Sequence, residues 1–415
     1  MKYLLINDMY VAGGTEVQSK REMEYFSSVG IEVKYITLDP NFAYHESKQK
    51  NHLNIARYKN SLLRIMDRYL LDKQTFLEIK QIIAEFDPDF IHLNNIYLSA
   101  PAVYEAVKDH YCFQTIRDFS IVCVKSTCIL PDCSVCTGSK DGHCFRKCFP
   151  KTLKDFVIFV GRYIALSRNA KLKKKAINQF VCPSQSLTDY CISHGYPTIC
   201  VNNPFDFTVI KEFQKSHPDN GKLIFIYYGV ISEKKGVLRL IDAFNEFAKN
   251  LTDVELHIVG KLDGLSEARL LCGDKIKYFG FMPFAQIIKK LEEVYAVIVP
   301  SVWIENYPNT VLEGFATDCV VIGSNRGGIP EQIGDQKCLF DVMDQDDIIR
   351  RLNYVYGLSE EERIHIYDRQ KAYLKSHNRQ EDYFSRILKI VEKGKEHNNG
   401  TSNSCNLSVL ENIDL

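Results

Sequence analysis

A chain of 415 residues, 45% hydrophobic and 25% charged, is too long for one ordinary core and has the composition of a globular protein with two domains. The 52 basic and 52 acidic residues cancel, so the overall charge gives no indication of a nucleic-acid partner. No apolar run approaches the roughly 18 residues of a membrane span, and the N-terminal MKYLLINDMY is too short for a signal peptide, so we expect a cytoplasmic protein.

The first half of the chain alternates strand and helix patterns, which predicts a parallel α/β domain over residues 1–203. The predicted strands are 2–7, 32–37, 90–93, 112–116 and 179–182. The predicted helices are 15–29, 74–86, 152–176 and 185–194. Residues 123–150 interrupt this alternation, and we call them the cysteine-rich segment.

A second alternating series follows a turn-rich linker at 204–221 and predicts another α/β domain over 222–376. Its predicted strands are 222–228, 255–259, 276–280, 295–301 and 319–323. Its predicted helices are 236–249, 284–292, 344–356 and 359–375, with shorter ones after Pro308 and after GGIPE. A last helix is expected within 377–396, and the Asn/Ser-rich tail 397–415 is expected to be disordered.

The segment 301–316, SVWIENYPNTVLEGFA, places Glu305 on a predicted loop and Glu313 in the following helix. In an open parallel sheet both positions face the crevice beyond the carboxyl ends of the strands, where ligands bind. Carboxylates there accept hydrogen bonds from vicinal hydroxyls, and a helix N-terminus favours phosphate. The segment thus offers partners for a sugar, a ribose and a diphosphate, although a solvated pair of helix-end carboxylates is the alternative.

The spacing of these glutamates, followed by GGIPE at 327–331, resembles the retaining family-4 glycosyltransferases (glycosyl transferases group 1). The resemblance extends to YGVISEKKG at 228–236 and GGTE at 13–16, and covers about residues 1–395. It implies the GT-B fold, in which two Rossmann-like α/β domains face a central cleft and the C-terminal helix crosses back to the first domain. It also implies transfer of a sugar from a UDP- or GDP-sugar to a saccharide or lipid-linked acceptor in bacterial surface-polysaccharide biosynthesis, without a catalytic metal.

The resemblance assigns donor-binding roles to the matching residues. Glu313 would hold the ribose, Glu305 the hydroxyls of the donor sugar and Lys235 the diphosphate. The other donor contacts that it implies are Gly13, Gly14, Gly229, Asn306, Asn309 and Thr310. The alternative is that Lys235 is simply one of the charged residues of a solvated SEKK turn.

Two positions depart from the family pattern. Val230 stands where the family usually has an arginine, and Arg117 stands where it usually has a histidine beside the reacting carbon. The predicted catalytic residues are therefore Glu305, Arg117 and Asp118. Arg117 stays protonated and cannot act as a base, but it can stabilise a departing phosphate. Asp118 would orient Arg117 or bind the acceptor, and a turn-capping role is its alternative.

These departures leave a second class open, a non-catalytic sugar-nucleotide-binding or scaffold protein on the same fold. A nicotinamide-dependent oxidoreductase is a third class, which the missing G-x-G-x-x-G fingerprint disfavours. Two D-x-D triplets, 87–89 and 344–346, are interpreted as a turn and a helix start rather than as metal sites.

Two further features concern partners. The spacings of Cys133 with Cys136 and of Cys144 with Cys148 are typical of structural zinc, with free or redox-labile thiols as the alternative. Residues 156–188 contain no acidic residue, and the basic helix ending at Lys173, Lys174 and Lys175 also carries apolar residues. Such a helix can dock on an anionic membrane surface at the inner face of the plasma membrane, whereas a core helix with a solvated basic end is the alternative.

Overall fold

Parallel β-strands form the centre of both halves of the chain. The computed structural model describes residues 1–10, 14–43, 50–56, 70–97, 99–136, 143–149, 152–216, 218, 221–269 and 273–400. In both sheets the strands are almost entirely buried, because helices cover the two faces. The predicted fold class, α/β with two Rossmann-like domains, is confirmed.

The first domain contains a seven-stranded sheet of order β3-β2-β1-β4-β5-β6-β7, in which every pairing is parallel. Its strands are β1 (Lys2–Asn7), β2 (Glu32–Thr37), β3 (His52–Asn54), β4 (Phe90–Leu93), β5 (Cys112–Thr115), β6 (Gln179–Cys182) and β7 (Thr198–Cys200). Its helices are α1 (Gly14–Ser28), α2 (Lys73–Phe86), α3 (Ala100–Val107), α4 (His143–Cys148), α5 (Leu153–Ala176) and α6 (Gln185–Ser193).

The second domain contains a six-stranded parallel sheet of order β10-β9-β8-β11-β12-β13. Its strands are β8 (Leu223–Tyr228), β9 (Val254–Val259), β10 (Ile276–Tyr278), β11 (Val294–Val299), β12 (Val320–Ser324) and β13 (Leu339–Phe340). Its helices are α7 (Val237–Phe247), α8 (Phe284–Leu291), α9 (Asn309–Ala316), α10 (Ile329–Ile333), α11 (Gln345–Tyr356) and α12 (Glu360–His377).

The last helix, α13 (Gln380–Gly400), returns to the first domain. Phe384 stacks on Tyr25 of α1 with ring centroids 4.0 Å apart, and the Tyr111 hydroxyl donates to the Ile390 carbonyl oxygen. The crossing helix thus packs where the resemblance implied. It extends to Gly400, so the predicted end of the crossing segment at 396 was too early and residues 397–400 of the predicted tail are helical. Residues 401–415 lie outside the described residues.

Several elements follow directly from local chemistry. Asp344 accepts hydrogen bonds from the N–H groups of Asp346 and Asp347 and so begins α11, as the helix-start interpretation required. Asp87 ends α2 in the left-handed region at φ 50°, which agrees with a turn at 87–89. Among the helices that the structure describes, none combines the length and apolar character that crossing a membrane requires.

Candidate active site

The loop between β11 and α9 places Glu305 at the carboxyl edge of the second sheet. Its Oε1 atom lies 2.5 Å from the Nζ of Lys235 and accepts a hydrogen bond of 2.6 Å from the Ser301 hydroxyl. Lys235 follows β8, and β8 and β11 are adjacent strands whose connections run to opposite sides of the sheet. The pair therefore meets at the topological switch point, which is the usual ligand crevice of such sheets.

A glycine fixes the position of Lys235. Gly236 has φ 72°, and a Cβ atom there would come within 1.8 Å of the Pro300 carbonyl oxygen. The chain therefore approaches the β11 loop more closely than any other residue type allows. Gly229 lies just upstream with φ 136°, and its carbonyl packs against Gly260 at the start of the same crevice.

Glu313 lies in α9, where it is partly buried beside Tyr228 of β8. Burial raises the pKa of its carboxyl to about 7, and the hydrogen bond with Tyr228 only partly offsets this shift. Asn309 and Thr310 form the first turn of the same helix, which begins at Pro308 without a side-chain cap. A helix that follows a parallel strand begins at the carboxyl edge of the sheet, so the uncapped N-terminus of α9 lies at the same edge as Glu305 and suits a phosphate.

Arg117 follows β5 on the opposite wall of the cleft and is held within the first domain. Its Nε donates to Asn94 at 3.3 Å and its Nη1 donates to Asn203 at 2.8 Å. The side-chain amide of Asn306 donates across the cleft to the Arg117 carbonyl oxygen. The structure thus gives Asn306 a contact between the domains that the sequence did not indicate.

Asp118 caps a short 3-10 turn, Phe119–Ile121, by accepting a hydrogen bond of 2.8 Å from the Ser120 N–H. Its second carboxylate oxygen accepts from the Tyr97 hydroxyl. These contacts match the capping alternative for Asp118, and its catalytic role stays a prediction.

Lys173 departs from its expected place on the basic face of α5. It is only 7% exposed, and it lines a small cavity with Asp118 and Asn94 at the carboxyl ends of β4 and β5. Burial lowers the pKa of its ammonium group to about 8. Periodicity alone could not separate it from its exposed neighbours Lys174 and Lys175.

Glu331, the glutamate of GGIPE, joins the two domains. Its carboxylate accepts hydrogen bonds of 2.8 and 3.0 Å from the N–H of Gln185 and another of 3.3 Å from the N–H of Ser186. These N–H groups belong to the first turn of α6 in the first domain. The GGIPE motif is visible in the sequence, but the sequence does not show that its glutamate caps a helix of the other domain.

The four cysteines predicted to bind zinc lie within the described part of the cysteine-rich segment. Within the part of the chain that the structure describes, which includes Cys133, Cys136, Cys144 and Cys148, no three His, Cys, Asp or Glu side chains form a group able to hold a metal. The zinc therefore stays a prediction from spacing alone.

The glycines at the start of the first domain can be placed only in part. Gly14 is the first residue of α1. Gly13 lies outside the described residues.

Comparison with known proteins agrees with this architecture. Residues 209–373 match the family model of glycosyl transferases group 1. An uncharacterized 42.6 kDa protein in the cps region of Klebsiella pneumoniae is 22% identical over 361 residues, which are 80% of this chain and 87% of that protein.

Solved structures share the fold over nearly the whole chain. Sucrose-phosphate synthase from Thermosynechococcus elongatus has a TM-score of 0.71 at 14% identity and covers 96% of this chain and 100% of its own. HepE of Anabaena in complex with UDP and glucose has a TM-score of 0.64 at 14% identity, with 95% and 100% covered. The apo form of the lipopolysaccharide outer core galactosyltransferase WaaB has a TM-score of 0.62 at 16% identity, again with 95% and 100% covered.

These findings define the class of the protein. The chain has the two-domain α/β fold of GT-B glycosyltransferase structures, and residues 209–373 match the family model of glycosyl transferases group 1. The family match supports a glycosyltransferase enzyme, and the structural neighbours show its fold.

Proposed function

We propose that the protein is a retaining glycosyltransferase that moves a sugar from a UDP- or GDP-sugar to a saccharide or lipid-linked acceptor in surface-polysaccharide assembly. The observation that carries this proposal is the convergence of Lys235, Glu305 and Glu313 at the switch point of the second sheet. The ammonium group and the uncapped helix N-terminus can bind the diphosphate of a nucleotide sugar, and the carboxylates can bind its hydroxyls.

In this proposal the contact between Lys235 and Glu305 belongs to the ligand-free state. The pair is partly buried, with the side chains of Lys235 and Glu305 33% and 13% exposed. A diphosphate carries more charge than one carboxylate and competes for the ammonium group. Glu305 is then free to accept hydrogen bonds from the hydroxyls of the donor sugar, while Glu313 accepts them from the ribose.

The proposed chemistry needs no basic side chain in the first domain. In a retaining reaction of this type the departing phosphate accepts the proton of the acceptor hydroxyl while the new bond forms on the same face of the sugar. Arg117 stays protonated and is held by Asn94 and Asn203, so its contribution is positive charge near the departing phosphate.

Surface-polysaccharide assembly and a membrane-bound acceptor form the finer part of the proposal. The relative from Klebsiella is described as lying in a cps region, and WaaB is described as a lipopolysaccharide galactosyltransferase. The helix α5 exposes Leu153, Val157 and Ile164 at 81%, 63% and 58%, together with basic residues. Such a face suits peripheral docking on an anionic leaflet.

A thermal-shift screen against UDP-, GDP- and ADP-sugars tests the donor, since a ligand that binds only the folded state raises the unfolding midpoint. One nucleotide series is expected to shift the midpoint, and the responding sugar is expected to be hydrolysed slowly without an acceptor. If no nucleotide sugar shifts the midpoint at millimolar concentration, the donor assignment is wrong.

A non-catalytic sugar-nucleotide-binding protein is the second candidate. Val230 supports it, because this residue is 49% exposed where the resembled family places a phosphate-binding arginine. The two candidates differ in one measurement. Donor binding without any donor hydrolysis or transfer would favour the binding protein.

A further inference from the structure

A cavity of about 350 Å³ lies between the two domains, beside the loop that carries Glu305. Ile304 lines it, and the next residue, Glu305, contacts Lys235 in the crevice described above. The cavity and the donor crevice therefore share one loop. None of the roles proposed so far uses the cavity.

The cysteine-rich segment forms one wall of this cavity through Val135. This segment belongs to the first domain but is fastened to the second. The Nη1 of Arg326 donates a hydrogen bond of 2.6 Å to the Cys133 carbonyl oxygen and another of 3.2 Å to that of Val302. The wall is thus held by contacts with both domains.

The lining combines the two kinds of groups that a sugar ring requires. Phe119 and Tyr190 provide aromatic surface, with ring centroids 5.1 Å apart in an edge-to-face pair. Asn325, Arg326 and Asp341 provide hydrogen-bond donors and acceptors around the same space. Apolar rings pack against the C–H face of a sugar, and the polar groups match its hydroxyls.

The charge and the volume of the cavity limit the kinds of ligand that it can bind. One cation, Arg326, and one anion, Asp341, line the cavity, so its net charge is zero and a neutral ligand is favoured over an anionic one. A volume near the lower end of the range of ligand pockets, about 300–1,000 Å³, suits a saccharide rather than a whole nucleotide sugar.

We propose that this cavity is a subsite for a neutral sugar unit of the acceptor, and that the cysteine-rich segment is its outer wall. This inference rests on the proposed transferase function and deepens it. The reacting unit of the acceptor lies beside the donor sugar that Glu305 holds, and the adjoining unit occupies the cavity on the other side of Ile304. Because both domains line the cavity, a bound acceptor also holds them together.

The test uses the full chain saturated with UDP, or with GDP if the screen selects it, and a panel of neutral hexose, N-acetylhexosamine and uronic-acid disaccharides. Saturation-transfer NMR measures which disaccharides bind. The variant Val135→Trp fills the cavity from an exposed wall residue, 52% exposed. Val29→Trp is the matched control, because Val29 is 53% exposed and lies in the turn after α1.

Wild type and Val29→Trp are expected to bind at least one neutral disaccharide, and Val135→Trp is expected to lose this signal while keeping nucleotide affinity. Asn325→Ala is expected to weaken the same disaccharide about three- to tenfold through loss of a hydrogen bond. Equal disaccharide signals from Val135→Trp and wild type overturn the subsite. So does nucleotide-loaded wild type that binds only uronic-acid disaccharides or none. Failure to bind any nucleotide contradicts instead the proposed function on which the subsite rests.

Discussion

The carboxylate of Glu331 in the second domain accepts a hydrogen bond of 2.8 Å from the backbone N–H of Gln185 in the first. Gln185 is the first residue of α6, so the carboxylate sits at the positive end of a helix that belongs to the other domain. Asn202 adds its side-chain amide to the same carboxylate at 3.4 Å. Glu331 of the second domain thus contributes to how the first domain closes on it, together with Asn306 and Arg326.

We expect Glu331→Ala to loosen the closed arrangement. Losing a helix cap costs about 1 kcal/mol, and here the loss falls on the contact between the domains. Small-angle scattering is expected to show a larger radius of gyration than for wild type, with a modestly lower unfolding midpoint. Glu361→Ala, on the exposed first turn of α12, is the control. Identical scattering of Glu331→Ala and wild type would show that other contacts alone set the closure.

We expect donor affinity to depend on the protonation of Glu313. Its pKa is raised to about 7 by burial, so the carboxyl is largely protonated at pH 6 and ionised at pH 8. An ionised carboxylate is the stronger acceptor for ribose hydroxyls, so affinity should rise across this range by up to about tenfold. Calorimetry with the donor from the screen measures this affinity. Because the diphosphate diester of the donor keeps a constant charge over this range, a change in affinity comes from the protein. The profile of Glu313→Gln is expected to be flat, and an equal slope in both proteins contradicts the assignment.

Ionisation of the Glu313 carboxyl lowers the stability of the folded protein, whereas it raises donor affinity. Its folded-state pKa lies above the ordinary value of 4.5, so with rising pH the unfolded chain releases this proton first. The contribution to the free energy of unfolding is present below about pH 4.5 and is lost as the pH rises to about 7. The midpoint of Glu313→Gln should therefore rise relative to wild type between pH 5 and pH 8. A constant difference over this range would mean that Glu313 has an ordinary pKa.

The sequence predicted the long elements and the position of the carboxylates for one physical reason. Buried parallel strands such as β8 and β11 are continuous apolar runs, and the loop with Glu305 follows such a run directly. The edge strands β3, β7 and β13 have only two or three residues, which is too short for a pattern.

The contacts between the domains could not be predicted from local patterns. Glu331 and Gln185 are 146 residues apart, and Asn306 and Arg117 are 189 apart. Lys173 is directed from α5 toward the ring of Tyr104, whereas Lys174 and Lys175 are exposed. This difference in direction is not visible in a run of three identical residues. The cysteine spacings also gave no indication that the Cys128 N–H donates to the Cys123 Sγ at 3.5 Å.

We expect Cys123 to be the most readily alkylated thiol of the cysteine-rich segment. A hydrogen bond from Cys128 and nearby backbone N–H groups lower its pKa to about 5, whereas burial raises the pKa of Cys148. At pH 6 iodoacetamide should label Cys123 at least about tenfold faster than Cys148, because only the thiolate reacts. Mass spectrometry of peptides measures both rates.

Metal analysis of the same reduced protein tests the zinc prediction. Bound zinc would protect several thiols together until a chelator removes it. Protein without zinc and with rapid labelling at Cys123 would rule out a structural zinc and establish a reactive thiol. Slow labelling of Cys123 in zinc-free protein would contradict the low pKa.

We expect the exposed face of α5 to bind anionic vesicles. Lys171 and Lys175 continue the stripe of Leu153, Val157 and Ile164 at helical spacing. Each basic residue near such a surface contributes about 1 kcal/mol, so reversing Lys171 and Lys175 should weaken co-sedimentation at low salt at least about tenfold. Lys173 is excluded from this test because it is buried. Reversal of the exposed Lys375 and Lys389 is the control, and equal loss in both double variants would mean that net charge alone controls binding.

We expect Glu305→Gln to separate binding from turnover. Without ligand, Glu305 neutralises Lys235 at 2.5 Å, so the amide substitution frees the ammonium group for the diphosphate. Affinity for the nucleoside diphosphate alone should therefore stay equal or increase. Turnover should fall about tenfold to a hundredfold, because the proposed role of Glu305 is to contact the sugar whose ring gains charge in the transition state.

Glu313→Gln provides the matched contrast, since the ribose changes little during the reaction. It should weaken nucleotide binding and leave turnover at saturating donor nearly unchanged. Lys235→Met is expected to lower affinity for the nucleoside diphosphate whether or not Glu305 is also replaced. Calorimetry on the three single variants and on the double variant Lys235→Met/Glu305→Gln, with steady-state kinetics on the single variants, measures these effects. If Glu305→Gln weakens diphosphate binding as much as Lys235→Met does, the carboxylate is needed to position Lys235 and does not compete with the diphosphate for it.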